Sequence, residues 1–320
     1  MPAEDKFEQL LRRLATEDKP IPAARLSELS DLERGRLEAL HRAWSELSPK
    51  RKRALIAQLG DLADEQIELT FEGINRFALE DPDDEVRRIA IENLWECQDP
   101  YLVAPLLKAL GEDRSPGVRS AAADALGEFV LLGEAEQLEP VSRRQLEDAL
   151  LYAHASDESP TVRRSSLKSL GYSSREEVVP LIQAAFDSGE EELVSAALLA
   201  MARSANNRWK PHVFSQLQSP SRTLREDAVR AAGELELRKA VTELIELLED
   251  VEPRVRQAAI WSLSQLGGDE AREALIALLE DRIDDLELEL IEDALGNLAF
   301  VDGTIDFSLL DLDENDDSTS

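Results

Sequence analysis

The residues that could carry out chemistry are few and lie far apart in the sequence. There is one cysteine, Cys97, and there are three histidines, His41, His154 and His212. A disulfide or a cysteine-based zinc site needs more than one sulfur, so we expect Cys97 to be a small, partly buried residue. The histidines are too widely spaced to meet at one metal ion. No set of nucleophile, base and electrophile can be assembled, and we expect no catalytic site, no metal and no cofactor.

Two short motifs have part of the pattern of a ligand site. Asp311, Asp313 and Asn315 have the spacing at which a calcium loop begins, but the turn glycine and the closing glutamate are missing, so we expect no calcium there. The run Lys50-Arg51-Lys52-Arg53 follows Ser48-Pro49 at a predicted helix start. Such a run could contact nucleic acid or direct targeting, or it could be an ordinary solvated helix face. We favour the solvated face, because the net charge of the chain repels phosphate.

The chain is strongly acidic, and its charge is unevenly distributed. Its 320 residues include 36 Lys and Arg against 67 Asp and Glu, a net charge of −31. Residues 1–60 carry a net charge of +2, so the rest of the chain carries −33. This charge opposes nucleic acid and anionic membranes as partners. The longest apolar stretch, residues 193–202, is too short to cross a bilayer, and we expect a cytoplasmic protein.

The elements that must position these residues form an internal repeat. Apolar anchor residues recur at steps of 32, 44, 31, 31, 31 and 31 residues, namely Val86, Val118, Val162, Leu193, Leu224, Val255 and Leu286. Apolar or small residues follow each anchor at +3, +4, +7 and +8, which is one face of an α-helix. A second apolar helical pattern precedes each anchor, so each repeat is predicted to be a helical hairpin. The long step contains Gly133 and Pro140 and is interpreted as an insertion at a turn, near residues 128–145.

The repeat has a recognisable signature, Asp-x-x-Pro-x-Val-Arg-x-x-Ala-x-x-x-Leu-Gly. Residues 113–127 match it fully, and residues 157–171 match it with serine in place of alanine. The pattern resembles the HEAT-repeat family, most closely the HEAT-like repeats of the phycobilisome lyase type, and the whole chain resembles uncharacterised bacterial HEAT-repeat proteins. The resemblance implies an all-α fold, an α-solenoid or superhelix of stacked helical hairpins of about 31 residues.

Three regions are predicted along the chain. Residues 1–61 are expected to form a helical N-terminal cap, and residues 62–307 a solenoid of about seven hairpins. Residues 308–320 are expected to be an acidic, disordered tail.

The recurring arginines and aspartates are predicted to be structural. The resemblance implies that each arginine bonds the aspartate of a neighbouring turn, although a row of arginines could also bind anions. The predicted ladder consists of Asp81, Arg87, Asp113, Arg119, Asp157, Arg163, Arg225, Asp250 and Arg256. One repeat has Val194 in the arginine position, and we expect the stack to be looser there.

A partner-binding surface is predicted on the anchor helices. The resemblance implies that these helices line a concave groove, and the positions at +6, +9 and +10 should then face it. These positions include Glu92, Trp95, Glu96, Asp124, Glu128, Lys168, Tyr172, Leu199, Arg203, Trp261 and Gln265. Trp and Tyr are favoured at binding hot spots. Trp95, Tyr172 and Trp261 could instead pack between neighbouring repeats.

The expected function is a non-catalytic scaffold for protein–protein interaction. It would bind another protein, with a basic patch, through the concave groove and the acidic C-terminal half. The alternative is an accessory subunit or maturation factor of the lyase type that binds a small molecule. Deoxyhypusine hydroxylase, a HEAT-like enzyme, builds its iron site from His-Glu pairs, whereas the histidines here are followed by Arg42, Ala155 and Val213. We expect neither that activity nor nucleic-acid or membrane binding, and the oligomeric state is left open.

Overall fold

The computed structural model describes residues 6–16, 21–280 and 285–301. Every regular element in these ranges is a helix, which confirms the predicted all-α solenoid class. The α-helices are α1 (Lys6–Thr16), α2 (Ala23–Leu26), α3 (Arg34–Ser45), α4 (Pro49–Glu65), α5 (Glu72–Ala78), α6 (Asp84–Glu92), α7 (Val103–Glu112), α8 (Pro116–Glu134), α9 (Pro140–Ser156), α10 (Pro160–Leu170), α11 (Val178–Asp187), α12 (Glu191–Arg203), α13 (Lys210–Gln216), α14 (Arg222–Glu234), α15 (Val241–Glu246), α16 (Pro253–Leu266), α17 (Asp269–Glu280) and α18 (Asp285–Val301).

Consecutive helices form hairpins, and the chain divides into two compact units, Met1–Ser174 and Arg175–Ser320. In the first unit α5 pairs with α6, α7 with α8 and α9 with α10; in the second, α11 to α18 pair in the same order. We call the second helix of each hairpin, and α4, the B helices. In the first unit α4, α6, α8 and α10 pack side by side in that order, and in the second α12, α14, α16 and α18 do so. Among the described helices, none combines the length and apolar content needed to cross a membrane.

The turn before each B helix determines where that helix begins. Proline occupies the first helical position of α8, α10 and α16, where its missing N–H has no helical partner to lose. Asp83 and Ser221 cap α6 and α14 by accepting hydrogen bonds from the N–H of Val86 and Leu224, at 3.2 and 3.4 Å. The anchor therefore always enters the helix at the same point of its first turn.

The anchors form the apolar core of the stack. Val86, Val118, Val162, Leu224 and Val255 are all buried. Leu193 is half-buried, and the side chain of Leu286 lies outside the described residues. Each hairpin contributes one anchor to the core. The spacing of the anchors in the sequence therefore equals the spacing at which hairpins are added to the stack.

The long step of the repeat differs from the expected insertion at a turn. Its extra residues lengthen the helices on either side, so that α8 has 19 residues and α9 has 17, against 10 in α7 and 11 in α10. The extension of α8 stays helical because Phe129, Val130 and Leu132 are buried there. The turn that remains, residues 135–139, is short. The division of the chain at residues 61 and 307 stays a prediction, and residues 308–320 lie outside the described residues.

Neighbouring B helices approach closely at recurrent glycines. A Cβ added to Gly127 of α8 would lie 2.8 Å from Oγ of Ser169 on α10, and one on Gly233 of α14 would lie 2.9 Å from Oγ of Ser262 on α16. Ser262 donates its hydroxyl proton to the carbonyl of Val229 on α14 at 2.7 Å. The glycine thus lets a small polar side chain reach the backbone of the preceding helix.

We expect Gly127→Ala to destabilise the protein, although alanine favours helix. The overpacking costs about 1–3 kcal/mol, and the gain in helix propensity is at most about 1 kcal/mol. Gly111→Ala on α7 is the matched control, because nothing lies within 4 Å of its added Cβ and only the gain remains. Chemical denaturation measures both free energies of unfolding. Ser169→Gly should recover part of the loss, and a Gly127→Ala variant as stable as Gly111→Ala would contradict the close approach.

Candidate functional site

Four of the five predicted ladder arginines connect two hairpins, and Arg87 shows the geometry. Nε and Nη2 of Arg87 donate to the two carboxylate oxygens of Asp113 at 2.8 and 2.9 Å. Its Nη1 donates to the carbonyl oxygen of Asp81 in its own turn at 2.7 Å. All three guanidinium nitrogens are engaged within the fold. This arrangement favours the structural ladder over the anion-binding row.

The same geometry recurs along both units. Arg119 donates to the carboxylate of Asp157 at 2.8 and 3.0 Å and to the carbonyl of Asp113 at 2.9 Å. Arg225 donates to the carboxylate of Asp250 at 2.8 and 3.0 Å and to the carbonyl of Ser219 at 2.9 Å. Planar guanidinium groups bind carboxylates in this bidentate way with well-defined geometry.

The aspartates are oriented by their own turns. One carboxylate oxygen of Asp113, Asp157 and Asp250 accepts a hydrogen bond from the backbone N–H two residues later, at 2.9, 2.8 and 2.9 Å. The hydrogen bond from Arg225 is the main cause that lowers the pKa of Asp250 below its usual value. Burial raises the pKa of Asp113 and Asp157, but the arginine and backbone hydrogen bonds outweigh it, and both pKa values are lowered.

Part of the basic run belongs to the same ladder, and its interpretation as a solvated helix face is wrong for Arg51 and Lys52, which are buried, whereas Lys50 and Arg53 are exposed. Lys52 is buried, and its Nζ donates to Oδ2 of Asp81 at 2.7 Å. Trp44 Nε1 donates to the same oxygen at 2.8 Å. Arg53 donates to both carboxylate oxygens of Asp83, at 2.8 and 2.6 Å. Lys52 follows Pro49 by three residues, as Arg119, Arg163 and Arg256 follow their prolines, and this spacing could have identified it.

The last rung also uses a residue that the sequence reasoning missed. Nε of Arg256 donates to Oε1 of Glu287 at 2.8 Å, and its Nη1 donates to the carbonyl of Asp250 at 3.0 Å. Glu287 follows Arg256 by one repeat of 31 residues and stands in the arginine position of its own repeat. A carboxylate at that position can accept the hydrogen bonds of the preceding arginine, as the aspartates of the other turns do.

The ladder positions are interrupted in the middle of the chain. Arg163 donates to the carbonyls of Asp157 and Glu158 in its own turn, at 2.8 and 3.3 Å. Serine stands at 188 and 219, where other repeats have the acceptor aspartate, and Val194, in the arginine position, is buried. A looser stack at Val194 stays a prediction.

In the first unit the outward residues come together on three adjacent B helices. Trp95 follows α6 and is 62% exposed. Glu128 on α8 accepts from Nε2 of Gln98 at 3.0 Å, and Asp124 on α8 pairs with Nζ of Lys168 on α10 at 2.9 Å. Glu92 on α6 is exposed and pairs with Arg88. Glu96, next to Trp95, is also exposed. Tyr172, which follows α10, is half-buried.

In the second unit the predicted residues are divided between two helices. Leu199 and Arg203 are half-buried on α12, whereas Trp261 and Gln265 lie on α16, beyond α14. Trp261 is 38% exposed, and its ring reaches to 2.9 Å from the position of a Cβ on Gly233 of α14. This ring therefore packs on the neighbouring repeat and presents one part of its surface to solvent.

The sequence reasoning missed an exposed aromatic residue close to Trp95 in the sequence. Tyr101, in the same connection between α6 and α7 as Trp95, is 83% exposed. Tyr101 lies outside the outward positions of the anchor helices, on which the prediction was based. Its place directly after Pro100, in a turn, was the available signal.

Comparison with known proteins assigns the family. The model for HEAT repeats matches residues 76–150 and 210–296, which together make up just over half of the chain. The chain belongs to the HEAT-repeat family. The two matched ranges of this HEAT-repeat protein contain the rungs from Arg87 to Asp113, from Arg225 to Asp250 and from Arg256 to Glu287. In the residues that the structure describes, no group of three or more His, Cys, Asp or Glu is placed to hold a metal ion.

Several solved structures are similar to this HEAT-repeat protein. YibA of Escherichia coli is 16% identical, with a TM-score of 0.45, over 88% of this chain and 98% of its own. The complex of CpcE and CpcF of phycocyanin lyase from Nostoc is 20% identical, with a TM-score of 0.47, over 72% and 95%. Human deoxyhypusine hydroxylase is 18% identical, with a TM-score of 0.38, over 92% and 96%. No curated protein sequence matches the chain.

We expect Arg119→Ala to lower the free energy of unfolding by about 1.5–3 kcal/mol, because it removes a bidentate bond between two hairpins. Arg163→Ala is the matched control and should cost less, since the bonds described for Arg163 lie within its own turn. Urea denaturation of both variants measures the difference. If both variants lose the same free energy of unfolding, the bond between hairpins contributes no more stability than the bonds within a turn, and the prediction is wrong.

We also expect acid to weaken the ladder. The pKa values of Asp113, Asp157 and Asp250 are lowered in the folded protein, so the unfolded chain takes up these protons at higher pH. The stabilisation is complete above the unfolded value of about 3.9 and is lost as the pH falls further. Thermal unfolding between about pH 2 and 6 should show this decline. Asp250→Asn should decline less steeply, and parallel curves for the variant and the wild type would contradict the prediction.

Proposed function

We propose that this HEAT-repeat protein is a non-catalytic scaffold that binds a basic segment of another protein on its B helices. The observation that carries the proposal is the exposed ring of Trp95 at the end of α6. Aromatic side chains are among the residues that contribute most to binding energy when a partner covers them. Tyr101 adds a second exposed ring in the same connection.

The charges around Trp95 favour a basic partner. Glu92 and Glu96 lie on the same segment as the ring, and Asp124 and Glu128 lie on the adjacent helix α8. A lysine or arginine of a partner can lie over an aromatic face while its charge is compensated by these carboxylates. Lys168 already pairs with Asp124. Glu92 likewise pairs with Arg88, so the carboxylates of this surface that form no ion pair within the described residues are Glu96, next to Trp95, and Glu128, which bonds Gln98 of the same connection.

The C-terminal half of the chain supports the same polarity. Residues 269–320 contain 18 acidic residues and two arginines. Such a field increases the rate at which basic proteins encounter the chain, and salt screens it. In the proposed scheme the aromatic rings supply affinity, and the carboxylates supply steering and orientation.

The test is a comparison of matched baits. Trp95→Ala should lose binding proteins that the wild type retains from a lysate, whereas Tyr152→Ala should retain them. Tyr152 is 74% exposed but lies on α9, which is not a B helix. Mass spectrometry then identifies the proteins that are lost, and a basic surface on them is expected.

Surface plasmon resonance with one such protein separates the two contributions. Trp95→Ala should mainly speed dissociation, and Glu96→Gln combined with Glu128→Gln, which removes two carboxylates without breaking an ion pair of the described residues, should mainly slow association. Affinity should fall as salt rises past about 0.1 M, where charges more than about 10 Å apart are screened. Salt-independent binding that survives Trp95→Ala would refute the proposal.

A further inference from the structure

The second unit contains a basic cleft in an otherwise acidic chain. The cleft has a volume of about 950 Å³ and lies between the start of α13 and the turn from α14 to α15. Its lining includes Lys210, Arg238, Lys239 and the partly exposed ring of Phe214, with Glu236 as its one acidic member. Three cations against one carboxylate make this cleft suited to an acidic ligand.

The two rims of the cleft are fixed to each other. Nζ of Lys210 donates to the carbonyl oxygen of Glu236 at 3.2 Å, and this bond joins α13 to the turn after α14. Leu237 is buried beneath the turn, and Phe214 is 39% exposed. None of the carboxylates in the described residues forms an ion pair with Lys210, Arg238 or Lys239. The cleft thus combines available positive charge with an apolar surface.

A segment of the same chain has the complementary composition. Residues 302–320 contain seven acidic residues and no lysine or arginine. Within them, residues 305–312 also carry the apolar side chains Ile305, Phe307, Leu309, Leu310 and Leu312. An apolar stretch with carboxylates among and after it matches a cleft that has an aromatic wall and a cationic rim.

The segment begins within reach of the cleft. The B helices α14, α16 and α18 pack in that order, and each follows the last by one hairpin, so they run in the same direction and end at the same edge. The cleft lies at this edge, directly after α14, and residue 302 follows the end of α18. Two helix spacings of 8–10 Å separate the ends by about 20 Å, whereas 19 extended residues reach up to about 60 Å.

We propose that residues 305–317 bind the basic cleft of the same chain and thereby compete with acidic segments of other proteins for it. Tethering gives the segment an effective concentration of the order of millimolar, which an external acidic ligand must exceed. The inference is independent of the proposed scaffold function, because the cleft shares no residue with the surface around Trp95.

Carbodiimide cross-linking of the full chain tests the proposal, because this reagent joins an amine to a carboxylate only when the two are in contact. Mass spectrometry of the monomer fraction should find Lys210 and Lys239 joined to carboxylates of residues 306–317. The yield should exceed that of links from Lys108, an exposed lysine of the first unit, by about tenfold. It should fall severalfold when salt is raised from about 0.05 to 0.5 M.

Two variants provide the matched comparison. Arg238→Glu with Phe214→Ala keeps both reactive lysines and should reduce the cross-linking yield about fivefold. Arg254→Glu changes the net charge in the same direction but lies at the start of α16, at the opposite edge, and should leave the yield unchanged. Circular dichroism verifies that both variants fold.

Hydrogen exchange of the wild-type chain gives a measurement that needs no variant. Amides of residues 207–214 and 236–239 should exchange severalfold faster at high salt, when the segment is released. Links found equally at Lys108, links confined to a dimer fraction, or salt-dependent protection confined to α17 and α18 would each overturn the proposal. Binding of a basic protein at Trp95 would be unaffected by any of these results.

Discussion

The fork between a guanidinium group and the carboxylate of the next hairpin is the interaction on which the stacking of this chain depends. Its strength comes from orientation fixed on both sides. The aspartate is held by a backbone N–H of its own turn, and the arginine by a carbonyl six residues earlier in its own turn. Neither group has to be ordered anew when the hairpins meet, so little conformational entropy opposes the bond. Where a rung is present, the ladder therefore defines the position of one B helix relative to the next B helix of the same unit.

The candidate surface lies where the close packing between neighbouring B helices, which depends on a glycine, is absent. Nine residues after the anchor, Gly127 and Gly233 allow the next helix to approach closely. In the first hairpin the residue at this position is Trp95, shortly after α6, and its ring remains largely exposed. Trp261 on α16 shows the opposite outcome, because its ring lies against Gly233. One repeat therefore has an exposed tryptophan at the position where two other repeats have a buried glycine. Comparing the repeats at the ninth residue after the anchor could have identified it.

The repeat spacing predicted the helical hairpins and their buried anchors. The residues and the segment that were missed depend on contacts that the spacing does not specify. The anchors follow from a repeat of 31 residues, whereas the arginine–aspartate pairs were implied by the resemblance of the repeats to the HEAT family. Lys52 and Glu287 were missed because the pattern was defined by residue type, whereas a rung needs only a cation and a carboxylate. The helical form of the long step could not be predicted, since it depends on the burial of Phe129 and Val130 against other helices.

The missing rung between α12 and α14 shows how a repeat can lose an ion pair without leaving a buried charge. Val194 stands where other repeats have the arginine. Ser219, in the turn before α14, stands where other repeats have the aspartate. If only one partner had changed, the other would have remained desolvated and unpaired, at a cost of about 3–5 kcal/mol. A different bond connects these two helices instead, since the hydroxyl of Ser195 donates to Oδ2 of Asp227 at 2.6 Å. The connection has moved from the turn to the body of the helices, so the hairpins stay coupled where the ladder stops.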